Sequence, residues 1–157
     1  MKKAILLGDE AVGLGAIHAG ISGVYAYPGT PSTEILEYLL QKAEQGEAIE
    51  AHWCTNEKTA YEQALGASMV GTRVLVSMKH VGLNVAADPF INSALVEIRG
   101  GLVVAVAPTL AGEQQQDAVA RTGLNNAPLV SSSTHLVANN TETAGRLATA
   151  ENLVKGG

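Results

Sequence analysis

Cysteine is all but missing from this sequence. Cys54 stands alone, which excludes an internal disulfide and any CxxC metal or cluster motif. Aromatic residues make up 4% of the chain and charged residues 16%. Ten basic against fifteen acidic residues leave a formal charge of −5, with no lysine or arginine cluster, and that balance argues against a nucleic-acid partner. Long apolar runs are missing as well. The opening MKKAILLGDEAVG reaches Gly8 too soon for the apolar part of a signal peptide and far too soon to cross a bilayer. The expectation is a cytoplasmic protein without membrane contact. No GxGxxG, GxxxxGK[ST] or GxSxG motif occurs, and no residues have metal-ligand spacing.

What remains is rich in glycine, alanine and valine, with 46% hydrophobic residues over 157 positions. That suits one domain of closely packed layers. Short β-rich runs alternate with helical patterns. Strands are expected at 4–8, 23–28, 49–53, 73–78 and 102–107, with a sixth at 134–138. Helices are expected at 10–20, from Thr30-Pro31 through Gly46, at 56–70, and from Asp88-Pro89 to the Gly100-Gly101 pair. A helical piece within 113–121 and a last helix through Val154 complete the pattern. Such alternation predicts an α/β fold: a three-layer domain with a mostly parallel sheet and helices on both faces. The chain reads as a single domain, 1–157.

In a parallel sheet the loops that leave the carboxyl ends of the strands share one edge, where ligands bind. Those loops are Gly8-Asp9-Glu10, Pro28-Gly29-Thr30-Pro31, Thr55-Asn56-Glu57-Lys58 and Lys79-His80-Val81-Gly82. Pattern alone makes Glu57 an ordinary first-turn acid, favoured by the helix dipole by ~0.3–1 kcal/mol. Its company changes that reading. Ala60, Ala64, Ala67 and Gly71 form a stripe of small residues that lets the helix lie close to its neighbours. A carboxyl group facing the ligand edge there is partly desolvated, which favours keeping a proton. The YPGTPST segment is equally an anion-attracting helix start and a well-made turn. His80 reads first as a hydrogen-bonded bystander. His18, His52 and His135 read as structural, and Cys54 as a small buried thiol.

Four stretches, LLGDEAVGLGAIHAGI, YAYPGTPSTEILEYL, HWCTNEKTAYEQALGASMVGTRVLVSMKHVGLNVAADPFINSA and GGLVVAVA, closely resemble the start of the α subunit of indolepyruvate:ferredoxin oxidoreductases. These belong to the thiamine diphosphate-dependent 2-oxoacid:ferredoxin oxidoreductases. The resemblance runs from about residue 4 to 107 and implies a pyrimidine-binding domain. It implies that Glu57, in the NEK motif, hydrogen-bonds N1′ of the cofactor's aminopyrimidine and drives the tautomer change that lets the thiazolium C2 lose its proton. It places Pro28, Gly29 and Thr30 beside the cofactor, and Thr30, Lys79, His80 and Asn84 on the substrate side. No protein ligand to a metal is implied in this segment.

The implied reaction is oxidative decarboxylation of an aryl 2-oxoacid to an acyl-CoA, with electrons passing to ferredoxin. The diphosphate-binding and ferredoxin-like domains are absent from the sequence. Mg2+ is therefore expected on the missing domain or a partner chain, and iron–sulfur clusters only in the missing parts. The implied partners are a diphosphate-binding domain or subunit, a β subunit, ferredoxin, CoA and the 2-oxoacid, in an oligomer; alone, the chain is expected to be inactive. After Ala107 the pattern departs, for PTLAGEQQQDAVARTG shares only Gln116-Asp117 and Arg121 with the family's usual run. Two other readings stay open: the α chain of a two-subunit 2-oxoacid decarboxylase, and a non-catalytic truncated binding or assembly module.

Overall fold

The computed structural model describes residues 5–107, together with the backbone of 129–130 and 135–138. In chain order the elements are α1 (Gly8–His18), β1 (Gly23–Ala26), α2 (Thr33–Glu44), β2 (Glu50–Trp53), α3 (Glu57–Met69) and β3 (Val74–Lys79). They are followed by α4 (His80–Val85), α5 (Ala87–Asn92), β4 (Leu102–Ala107), β5 (Leu129–Val130) and β6 (His135–Ala138). The sheet order is β2–β1–β3–β4–β6–β5. The first four strands of that order run parallel, and β6 and β5 join antiparallel.

This order decides where the helices go. The connection from β1 to β2 steps one way along the sheet, and that from β2 to β3 steps back past β1. Crossovers of one hand must then lie on opposite faces. Accordingly, one core is built from α1 and α2 residues (Ala16, Ile35, Leu36, Leu39) on Val24, Leu75, Val103 and Ala105. The other is built from α3, α4 and α5 residues (Ala60, Tyr61, Ala64, Leu83, Phe90) on Val74, Val76, Met78, Val104 and Val106. Alternate residues of β3 and β4 serve the two faces, as pleating demands. The expected three-layer α/β architecture is therefore the one found.

Several boundaries differ from those read in the sequence. Residues 5–7 of the first expected strand are not a strand. Ile5 and Leu7 are exposed, and helix α1 starts already at Gly8, where the Glu10 carboxylate accepts a 2.8 Å bond from the Leu7 N–H. That side-chain reach to the backbone is half of a capping box. Gly8-Asp9-Glu10 is thus a first helical turn rather than a loop. Helix α2 starts at Thr33, not at Thr30-Pro31, because Gly29 to Ser32 close a turn of their own. In it the Ser32 N–H donates to the Gly29 carbonyl at 2.9 Å across a cis Thr30–Pro31 bond.

KHVGLN is helical from His80 rather than a loop, and the helix expected to reach Gly100 stops at Asn92 with a single 3-10 turn after it. On α3 the buried line is Glu57, Ala60, Tyr61, Ala64 and Ser68. Gly71 lies outside it, exposed. The polar Glu57, Tyr61 and Ser68 supply the rest of that line, so a stripe chosen for small residues is rotated from the true contact. The expected helices within 113–121 and through Val154 lie outside the described residues.

The Tyr61 hydroxyl is buried 2.6 Å from the Ser93 hydroxyl, which in turn bonds the Phe90 carbonyl at 2.7 Å. Burial pushes the Tyr61 phenol up to about 12. A raised phenol pKa favours the folded state while the group is neutral, below its ordinary value of 10.0. This contribution is lost as pH climbs from there toward the folded value. Tyr61→Phe should cost about 1 kcal/mol at neutral pH, the size of one hydrogen bond. Urea unfolding at pH 7 and above pH 10 checks this, and the variant should show a flatter alkaline decline.

Candidate functional site

Strands β1 and β3 are neighbours whose following helices leave to opposite faces, α2 to one and α4 to the other. Such a reversal point, at the carboxyl ends of the two strands, is where open α/β sheets bind ligands. Pro28-Gly29-Thr30 follows β1, and Lys79-His80 follows β3. The two segments touch. A Cβ on Gly29 would lie 3.0 Å from Lys79 Cδ and 3.2 Å from its Cγ, so the lysine stem runs across bare backbone. Leu75 faces the α1–α2 core while Met78 faces the other, and alternation sends Lys79 off on the α2 side.

Glu57 comes to the same edge from the opposite face. Asn56 caps α3, its side-chain oxygen accepting the Thr59 N–H at 2.8 Å. This leaves Glu57 as the first helical residue. First-turn acids normally point to water, but Glu57 is only 5% exposed. Its side chain lies against α4 so tightly that a Cβ on Gly82 would stand 2.6 Å from Oε1 and 2.7 Å from Cγ. Among the described residues none donates a hydrogen bond to this carboxyl group or forms an ion pair with it. A buried acid without a partner is costly unless a ligand supplies one.

The other expected residues are less enclosed. Pro28 and Thr30 are exposed and Gly29 is half-buried. Lys79 and His80 are half-buried, and His80 Nδ1 is sealed from solvent without a hydrogen-bond partner among the described residues. Asn84 is exposed, one helical turn after His80 and on the same side of α4. Two residues of the segments expected at this edge, Ser32 and Gly82, shape it without having been assigned a role of their own. Ser32 is buried and its hydroxyl donates to the Gly29 carbonyl at 2.8 Å, holding the turn. Gly82 packs against the Glu57 side chain, and because its segment was expected to be a loop, no helical pattern marked the glycine as unusual.

Some residues stand apart from this edge. His52 lies exposed on the outer strand, its ring stacked on Tyr25 at 5.7 Å. Cys54 is half-buried rather than buried, and desolvation pushes its thiol up. Among the described residues no group of three acidic, histidine or cysteine side chains could hold a metal ion. No helix there is long and apolar enough to cross a membrane.

Comparison with known proteins bears on this edge. The family described as pyruvate flavodoxin/ferredoxin oxidoreductase, thiamine diphosphate-binding, matches residues 14–107. An indolepyruvate oxidoreductase subunit from Pyrococcus horikoshii is 41% identical over 132 residues, covering 82% of this chain and 20% of that protein. Its counterpart from Archaeoglobus fulgidus is 45% identical over 122 residues, with 73% and 19% covered. The chain thus spans about one fifth of the length of these relatives. A 2-oxoglutarate:ferredoxin oxidoreductase from Magnetococcus marinus, solved with 2-oxoglutarate, coenzyme A and succinyl-CoA, superposes with a TM-score of 0.62. It is 27% identical, with 67% of this chain and 18% of that one covered.

Proposed function

Because the chain belongs to the thiamine diphosphate-binding family of pyruvate flavodoxin/ferredoxin oxidoreductases, we propose that it forms the pyrimidine-side part of an indolepyruvate:ferredoxin oxidoreductase acting on aryl 2-oxoacids. One observation carries this reading: Glu57 is buried at the ligand edge with nothing among the described residues to answer its charge. A carboxyl group so placed fits the ring nitrogen of an aminopyrimidine, to which it would hold or yield a proton. Bound thiamine diphosphate supplies a carbon nucleophile for the 2-oxo carbon. Gly29 offers the cofactor bare backbone, with Pro28 and Thr30 beside it. Lys79, carried over Gly29, brings positive charge toward the substrate carboxylate, and Thr30, His80 and Asn84 border the same space.

The diphosphate, Mg2+ and the iron–sulfur clusters belong to other domains or chains, and CoA and ferredoxin meet the assembled oligomer. Tyr27, Trp53 and Val81 support a covering partner, since all three lie exposed just at or beyond the carboxyl ends of β1, β2 and β3. Their exposure suits a second surface closing over this edge. The choice of aryl substrate is supported by identity. Indolepyruvate subunits reach 39–45%, against 35% for a ketoisovalerate oxidoreductase subunit.

The test assembles the subunit with its diphosphate-binding partner, thiamine diphosphate and Mg2+, and follows dye reduction and CO2 release. Indolepyruvate and phenylpyruvate should support both, with kcat/KM at least about tenfold above that for 2-oxoisovalerate, the size of effect that pocket fit alone supplies. Decarboxylation without electron transfer would replace this reading with a decarboxylase. Failure of thiamine diphosphate to bind any assembled form would leave a non-catalytic module.

A further inference from the structure

Helix α4 carries a glycine where its own stability would be better served by alanine. Gly82 is its third residue, is buried, and has no positive φ to require glycine. In a helix interior glycine is about 1 kcal/mol less favourable than alanine. The reason for it lies across the helix interface. A methyl group at Gly82 would stand 2.6 Å from Glu57 Oε1, 2.7 Å from Cγ and 3.0 Å from Cδ, the three nearest atoms outside its chain neighbours and the backbone of α4 itself. No backbone lies among them. The obstacle is the side chain of Glu57 from Cγ outward, which must turn about its Cα–Cβ bond to make room.

We propose that Gly82 is a positioning residue for Glu57: its missing side chain fixes where the carboxyl group stands at the ligand edge. The inference rests on the reading of Glu57 as the cofactor's proton partner and names what holds that partner in place. Helix α4 abuts Glu57 along the side of the carboxylate, so added volume there moves the oxygens rather than the sheet. Displacement of a reacting group by about 1 Å can cost on the order of a hundredfold in rate.

Gly82→Ala, Glu57→Gln and the double variant, each in the assembled holoenzyme, test this with three measurements. The cofactor-free Gly82→Ala protein should keep its Tm within about 3 °C or gain slightly, as a helical glycine replaced by alanine implies. Its thiamine diphosphate affinity, by calorimetry, should fall about tenfold, the loss expected for one displaced hydrogen bond. Its kcat should fall about 10–100-fold, and Gly82→Ala should have no further effect in the Glu57→Gln background.

A large drop in Tm would make Gly82 a structural spacer and overturn the inference. Unchanged affinity and kcat, or losses that add to those of Glu57→Gln, would overturn it equally. The two readings fail separately. Full activity in Glu57→Gln removes the role of Glu57 itself, whereas an inactive Glu57→Gln beside a silent Gly82→Ala removes only the positioning role.

Discussion

On the proposed reading, Glu57→Gln should lower turnover in the assembled holoenzyme by about 10²–10⁴-fold, the usual worth of a placed proton-transfer group, while the protein stays folded. The substitution is close to isosteric, so the space against Gly82 remains filled. What changes is chemistry: an amide cannot hold and release a proton at a ring nitrogen as a carboxyl group can. Two opposing effects keep stability nearly constant. The helix start loses a favourable first-turn charge of ~0.3–1 kcal/mol, and the buried site is relieved of a charge that no described residue partners. Steady-state dye reduction beside thermal unfolding checks both halves. Near-normal turnover in a folded variant would remove Glu57 from the chemistry.

Gly100→Ala is expected to damage the fold rather than the site, lowering Tm by roughly 3–10 °C, for a cost of 1–3 kcal/mol from overpacking. Gly100 sits where the chain enters β4, and its N–H donates to the Ser68 carbonyl at 2.9 Å, tying that entry to the end of α3. A methyl group there runs into the Thr72 carbonyl and the backbone of Gly71. Unlike the Glu57 side chain facing Gly82, this obstacle is main chain and cannot swing aside. Melting the variant against the parent protein checks the effect, and an unchanged Tm would show that this junction yields easily. The pair of glycine variants makes opposite claims: Gly82→Ala moves affinity and rate but not Tm, and Gly100→Ala moves Tm first.

Much of the fold was legible in the chain. The run at 73–78, apolar or small after Arg73, marked a strand covered on both faces, the apolar run at 102–107 marked another, and strand–helix alternation announced the layers. The errors share a cause. Ile5 to Leu7 are apolar enough for a strand, yet no described strand pairs with them, and a glutamate bonding back to Leu7 begins a helix instead. Thr30-Pro31 has the composition of a helix start, but the Gly29–Ser32 turn claims those residues first. KHVGLN has no helical cap signal, and it is helical because Leu83 and Ala86 complete the core under α3.

Strand–helix alternation obliged the segments that hold Glu57, Gly29, Thr30, Lys79 and His80 to share one edge of the sheet, and the family resemblance, not composition, made these residues and Asn84 site candidates. Alternation also settled the class of the domain. Strand order, burial and reach were decided only in three dimensions. That β1 and β3 are neighbours with helices leaving to opposite faces, that Glu57 turns inward from a helix start, and that its side chain packs on Gly82 are all facts about segments distant in the chain. Periodicity reports which face of an element is apolar, but what stands opposite that face depends on packing among elements the pattern does not connect.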